Sequence, residues 1–255
     1  MPVHAAYRKL LSSFGPQGWW PLIRGPRGAA PKTSEAALPR VIPRSASFPC
    51  YHPGVYRKPG PGQALEICLG TILTQNTAWS NVVKALGALS GAGALDAERI
   101  LRMSPARLQT LIRPSGYFVQ KAVKLKEFCR RARQNGGAGR WLSAPLGPLR
   151  EELLRVHGVG PETADSMLLY AGFRPAFVVD AYTRRITQRL GWLEEGADYA
   201  RTRAYLAARL PRSVKVYQEF HALFVELAKR FCSKRDPECP RCPLRGNCRT
   251  GRKHG

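Results

Sequence analysis

Leu153-Leu154-Arg155-Val156-His157-Gly158-Val159-Gly160-Pro161-Glu162-Thr163-Ala164 is the stretch on which the reading of this chain turns. Two glycines bracket a valine between two runs of helical apolar spacing, Leu149 to Val156 before and Thr163 to Ala171 after. The pattern predicts two helices joined by a tight hairpin. Glycine lets a backbone approach a phosphate closely, and the free N–H groups that open the second helix favour an anion. Taken alone, Gly-x-Gly between helices is a common corner. Its neighbours in the sequence give it weight.

Downstream, the apolar run Phe177-Val178-Val179 ends at Asp180, 20 residues past Gly160, followed by Ala181-Tyr182-Thr183-Arg184-Arg185. On residue type alone Asp180 is an N-cap for a helix from Ala181 to Leu190, and a capping carboxylate is rigidly held. Tyr217, Phe220, Phe224 and Leu227 form a further apolar stripe. It leads into Cys232-x6-Cys239-x2-Cys242-x5-Cys248, four thiols within 17 residues on a loop rich in turn formers. Such a loop suits four-thiolate zinc or a [4Fe–4S] cluster. Zinc ribbons more often pair two distant Cys-x2-Cys knuckles. Cys50, Cys68 and Cys129 read as lone thiols.

Upstream, Leu65, Cys68, Leu69 and Ile72 recur at helical spacing, as do Val82, Val83, Leu86 and Leu89. Ser104-Pro105 opens a helix with Leu108, Leu111 and Ile112 inward, and Ala122, Val123 and Phe128 mark the next, which stops near Asn135-Gly136-Gly137. Ala176 to Val179 is the one β-like run. The fold class is therefore all-α. Residues 1–62 differ in texture: 11 of the 21 prolines and nine Lys and Arg lie there against a single acid, Glu35. A short helix over Tyr7 to Phe14 is expected, then an irregular basic insertion over 24–60.

The 255 residues carry 41 Lys and Arg against 17 Asp and Glu, a formal +24. Such an excess favours a polyanionic partner, nucleic acid first. No apolar run approaches the roughly 18 residues of a membrane span, and no apolar core follows Arg8-Lys9 as a signal peptide requires. A cytoplasmic, monomeric protein without a membrane partner is expected, its cysteines reduced.

Over roughly residues 63–250 the chain resembles the endonuclease III branch of the helix-hairpin-helix DNA glycosylases. The 6-2-5 cysteine spacing, the Gly158-Val159-Gly160 hairpin and the acid at position 180 carry the resemblance. Gly70-Thr-Ile-Leu-Thr-Gln-Asn-Thr77 and the run from Ile112 to Leu125 add to it. The resemblance implies two helical domains flanking a DNA-binding cleft: a six-helix barrel bearing the helix-hairpin-helix, and an iron–sulfur cluster domain. The expected divisions are an N-terminal segment 1–62, a barrel 63–185 with the hairpin element at 149–171, C-terminal helices and cluster loop 186–248, and a basic tail 249–255. It implies a [4Fe–4S] cluster on Cys232, Cys239, Cys242 and Cys248, Asp180 as the catalytic carboxylate, and Gln75 as a glutamine inserted into duplex DNA. Gly158, Gly160, Lys121, Arg184 and Arg185 are the further expected DNA contacts.

One departure is informative. Bifunctional members carry a lysine in the hairpin that forms a Schiff base with the sugar. Here Pro161-Glu162 stands in that place, and a carboxylate cannot form one. The expected enzyme is monofunctional, Asp180 orienting water or stabilising the sugar cation. The hairpin sequence, Val-Val-Asp-x-Tyr, Trp19-Trp20-Pro21 and Leu-Thr-Gln-Asn-Thr-x-Trp are similar to bacterial 3-methyladenine glycosylases of this type. That similarity implies a base pocket of Trp19, Trp20, Trp79 and Glu162. A cationic alkylpurine gains about 0.5–2 kcal/mol over an indole face that a neutral base does not. Two other readings stand beside this one: a glycosylase for oxidised or mismatched pyrimidines, and a catalytically silent DNA-binding paralogue.

Overall fold

The computed structural model describes residues 1–23 and 50–253, whose regular elements are all helical apart from one antiparallel bridge between Leu22 and Cys50. The all-α expectation holds. Ala176–Val179 is buried but pairs into no strand among the described residues. Most of the expected insertion, 24–49, lies outside the described residues. Residues 51–60 carry no regular element.

The chain divides into two compact units, and each is discontinuous. One comprises residues 20–52 and 57–174. Its helices are α2 (Pro61–Leu73), α3 (Trp79–Gly91), α4 (Ala97–Arg102), α5 (Pro105–Ile112), α6 (Phe118–Gln134), α7 (Ala138–Trp141), α8 (Leu146–Leu154) and α9 (Pro161–Ser166). A wider helical turn, Met167–Ala171, continues α9. Buried Leu69, Ile72, Leu73, Leu86, Leu89 and Phe128 build its core, with α2 fully enclosed over Ala64–Leu73. Side-chain caps fix two helix starts, the one at Ser104 as the sequence suggests. Asp96 and Ser104 accept the backbone N–H groups of Arg99 and Arg107, which would otherwise be unsatisfied.

The other unit comprises residues 1–19, 53–56 and 175–255. It contains α1 (Val3–Phe14), α10 (Ala181–Leu190), α11 (Tyr199–Ala207) and α12 (Val214–Arg230). The expected helix over Tyr7 to Phe14 is present and begins earlier, at Val3; Gly15, at φ 70°, ends it. The N-terminal segment is not a separate piece, contrary to the division at 62. Val3, Ala6 and Leu10 of α1 are buried and Tyr7 meets Phe220 of α12 edge-on at 5.5 Å. Glu219, 2% exposed on α12, accepts the N–H of Gln17 at 2.6 Å and the hydroxyl of Tyr56 at 2.5 Å. A buried carboxylate needs such donors. The C-terminal division likewise falls at 175, ahead of the expected 185, because α10 packs on α12. The tail is in part ordered: Thr250 donates to the carbonyl of Arg189, and Gly251 is buried against Arg245 and Cys248.

Candidate active site and its family

In the hairpin, Gly158 takes φ 80°, a conformation that disfavours side chains, and Gly160 caps α9 in an extended conformation, exposed. Pro161 occupies the first helical position, where its missing N–H costs nothing. Glu162 follows in the first turn, exposed. A bidentate pair between Arg150 and fully buried Asp165 (2.8 and 3.1 Å) joins the two helices of the element. Gln75, half-buried, is engaged with the hairpin: its Nε2 donates to the carbonyl of Gly158 at 2.9 Å and to Thr163 Oγ1 at 3.0 Å.

Lys121 corrects an expectation. It is 1% exposed, and its Nζ donates to the carbonyls of Leu73 at 2.7 Å and Ser115 at 2.6 Å. It closes the end of α2 from within and reaches no phosphate. Burial, then the neighbouring charge of Lys124, lowers its pKa to about 8. Trp20 is 5% exposed and packed edge-on against Trp79 (5.1 Å) and tilted on Tyr170 (5.4 Å), with its ring tight over Gly70. Trp79 is half-buried.

In the other unit Asp180 caps α10, its Oδ1 accepting the Thr183 N–H at 2.7 Å. Oδ2 lies 3.7 Å from Nε2 of His221, a buried residue of α12. Burial alone would raise the Asp180 pKa. The nearby His221 and the Thr183 N–H outweigh it, so the carboxyl titrates below the ordinary aspartate value. Trp19 meets His221 edge-on at 6.3 Å, and Lys229 Nζ lies 5.8 Å from the Trp19 ring centre. The sequence reading did not single out His221. Its signal was a histidine inside the α12 apolar stripe, where a polar side chain needs a reason.

Arg184 is exposed. Arg185 is not available in the same way: its Nε donates to the carbonyl of Cys232 at 2.9 Å and its guanidinium lies over Tyr182. Arg189 donates to Cys232 Sγ at 3.2 Å and to the carbonyls of Ser233 and Lys234, while the Cys248 thiol donates to the carbonyl of Arg189 at 3.1 Å. Among the described residues no three His, Cys, Asp or Glu side chains form a metal-ligating group. The donor chemistry of the loop nevertheless fits one. Burial, followed by the charges of the other thiols, raises the pKa of Cys239, and burial pushes that of Cys242 up to about 11. The charges of Cys232 and Cys248 are thus felt at both, and Arg189 lies beside the loop.

Compared with known proteins, residues 69–212 match the profile of the HhH-GPD superfamily of base excision DNA repair proteins. The chain belongs to that superfamily. It is a DNA glycosylase by family. It is 41% identical over 186 residues to a provisionally named DNA repair glycosylase of Methanocaldococcus jannaschii, covering 72% of this chain and 84% of that one. To Endonuclease III of Thermotoga maritima it is 32% identical over 191 residues (74% and 84%). The solved H. pylori 3-methyladenine DNA glycosylase, bound to 1,N6-ethenoadenine, superposes with a TM-score of 0.59 at 27% identity, covering 65% of this chain and 84% of that one. A non-covalent Endonuclease III–DNA complex superposes at 0.65 over 78% and 87%, its 23% identity speaking for the fold.

Proposed function

We propose that this chain is a monofunctional glycosylase that hydrolyses the N-glycosidic bond of alkylated purines turned out of duplex DNA. One observation carries the reading: Glu162 occupies the hairpin position where a Schiff-base lysine would stand, while Asp180 is retained as a capped carboxylate held ionised by its neighbours. No lysine lies within 153–164. The nearby lysines are committed elsewhere, Lys121 to two carbonyls and Lys124 to Gln75. Lys121, whose lowered pKa would favour attack, is enclosed at 1% exposure.

A cationic N3- or N7-alkylated purine is already a good leaving group. What remains for the protein is to stabilise the sugar cation and supply water, both within the reach of one fixed carboxylate. Half-buried Trp79 is the aromatic face for such a base, with Trp20 packed edge-on against it as support. The H. pylori 3-methyladenine enzyme, at 27% identity, supports this substrate class. The 32% identity to an Endonuclease III favours a second reading, oxidised or mismatched pyrimidines. DNA bearing 3-methyladenine, 7-methylguanine, thymine glycol or a T·G pair, tested in single turnover, separates the two. Methylpurine release is expected, with strand breaks only after alkali and no adduct on borohydride. Trp79→Ala should slow that release about tenfold or more if the ring stacks on the base. A borohydride adduct in the unmodified protein would overturn the monofunctional reading.

The cysteine loop is proposed to hold a [4Fe–4S] cluster on Cys232, Cys239, Cys242 and Cys248, whose part is to clamp the loop onto α10 beside Arg189. Purified protein should be brown, with a broad band at about 400 nm that Cys242→Ser removes. A colourless protein with one zinc per chain would refute the cluster.

A further inference from the structure

Asp180 has two carboxylate oxygens, and the chain meets each from a different helix. Oδ1 accepts the Thr183 N–H at 2.7 Å, a bond that ties the carboxylate to the start of α10. Oδ2 faces α12, where Nε2 of His221 lies 3.7 Å away. Both side chains are enclosed, Asp180 at 16% exposure and His221 at 7%. His221 sits among Tyr217, Phe220, Phe224 and Leu227, the apolar stripe that α12 buries, where an imidazole is costly unless a polar group meets it. The same helix grips the chain that leads into Asp180: Phe177 meets Tyr217 at 5.2 Å and Phe220 at 6.3 Å, both edge-on. Trp19 in turn meets the His221 ring edge-on at 6.3 Å. All of these residues belong to one compact unit.

We infer that His221 is a positioning residue for Asp180, its Nε2–H directed at Oδ2 so that the carboxylate is held at two points and cannot turn. A separation of 3.7 Å is slightly long for a hydrogen bond, and contacts of this kind tighten once substrate is in place. Each carboxylate oxygen has two lone pairs, so Oδ2 still has one for the attacking water or the sugar cation. With the Thr183 N–H alone the carboxylate would pivot about Oδ1, and Oδ2 would swing out of line. A misplacement of about 1 Å costs on the order of 100-fold in rate.

The inference rests on the proposed catalytic role of Asp180, and its test separates the two. In the full chain, single-turnover base release is measured on the damaged duplexes named above. Affinity for a duplex with a tetrahydrofuran abasic analogue and the melting midpoint are measured beside it. His221→Phe, which keeps a ring and loses the donor, should slow release about 100-fold and leave abasic-analogue affinity within about threefold. His221→Asn is too short to reach Oδ2 and should do the same, so the test stands even where the phenylalanine variant does not fold. His221→Gln, whose amide N–H extends to the place of Nε2–H, should return release to within about fivefold of wild type. In an Asp180→Asn background, His221→Asn should slow release by less than about twofold further, because the imidazole acts through the carboxylate. Wild-type rates in the phenylalanine and asparagine variants overturn the inference. So does a glutamine variant as slow as the asparagine one, or an effect undiminished in the Asp180→Asn background, since either makes His221 a packing residue. Base release by Asp180→Asn at the wild-type rate removes the catalytic carboxylate instead. A wild-type protein that releases no base from any of these duplexes removes the proposed function, and the inference falls with either.

Discussion

Asp180→Asn should lower single-turnover base release by about a thousandfold, the order seen when a pre-aimed electrostatic partner of a developing charge is removed. The substitution is nearly isosteric. Its side-chain oxygen still accepts the Thr183 N–H, so α10 keeps its cap and the fold should lose at most about 1 kcal/mol. Undamaged-duplex affinity should be unaffected, or slightly tighter for loss of a negative charge. The pH dependence has a definite sign. With its folded pKa below the unfolded one, Asp180 contributes stability above the ordinary aspartate value, and loses it as pH falls through the folded value. Any acid limb of the rate profile due to this carboxylate should thus lie below pH 3.8, the ordinary value, and vanish in the variant. Base release by Asp180→Asn at the wild-type rate would remove the carboxylate from the mechanism.

Much of this architecture was legible in the sequence because the relevant signals are local. Proline and serine at 104–105, aspartate at 180 and glycine at 158 each act within one turn of chain, and each sits as its chemistry demands. The division of the chain was not legible for the opposite reason. A single carboxylate, Glu219, binds Gln17 and Tyr56 from some 200 and 160 residues away, and no spacing rule encodes that. The same limit hid His221 beside Asp180. It also misassigned Lys121, since a lysine on the outer face of a helix and one turned into the core read alike.

Those buried contacts give Lys121→Met a second large effect. Removing the ammonium leaves the Leu73 and Ser115 carbonyls enclosed without a donor, each costing about 1–3 kcal/mol, so destabilisation of about 3–4 kcal/mol is expected. For a chain of this size that is on the order of 10 °C in the melting midpoint. Lysine in the folded protein titrates at about 8, below the ordinary 10.5, so between these values the unfolded chain binds the extra proton and folding gains stability as pH rises. The neutral amine still has two N–H groups for two carbonyls. The gap between wild type and Lys121→Met should therefore widen from about pH 8 upward. A phosphate contact would behave otherwise: its loss lowers the salt slope of duplex binding by about one unit and leaves the melting midpoint nearly alone. Arg184→Ala, at an exposed position on α10, should show that second behaviour, and Lys121→Met the first. If Lys121→Met changed the slope and kept its melting midpoint, the lysine would be at the DNA surface after all.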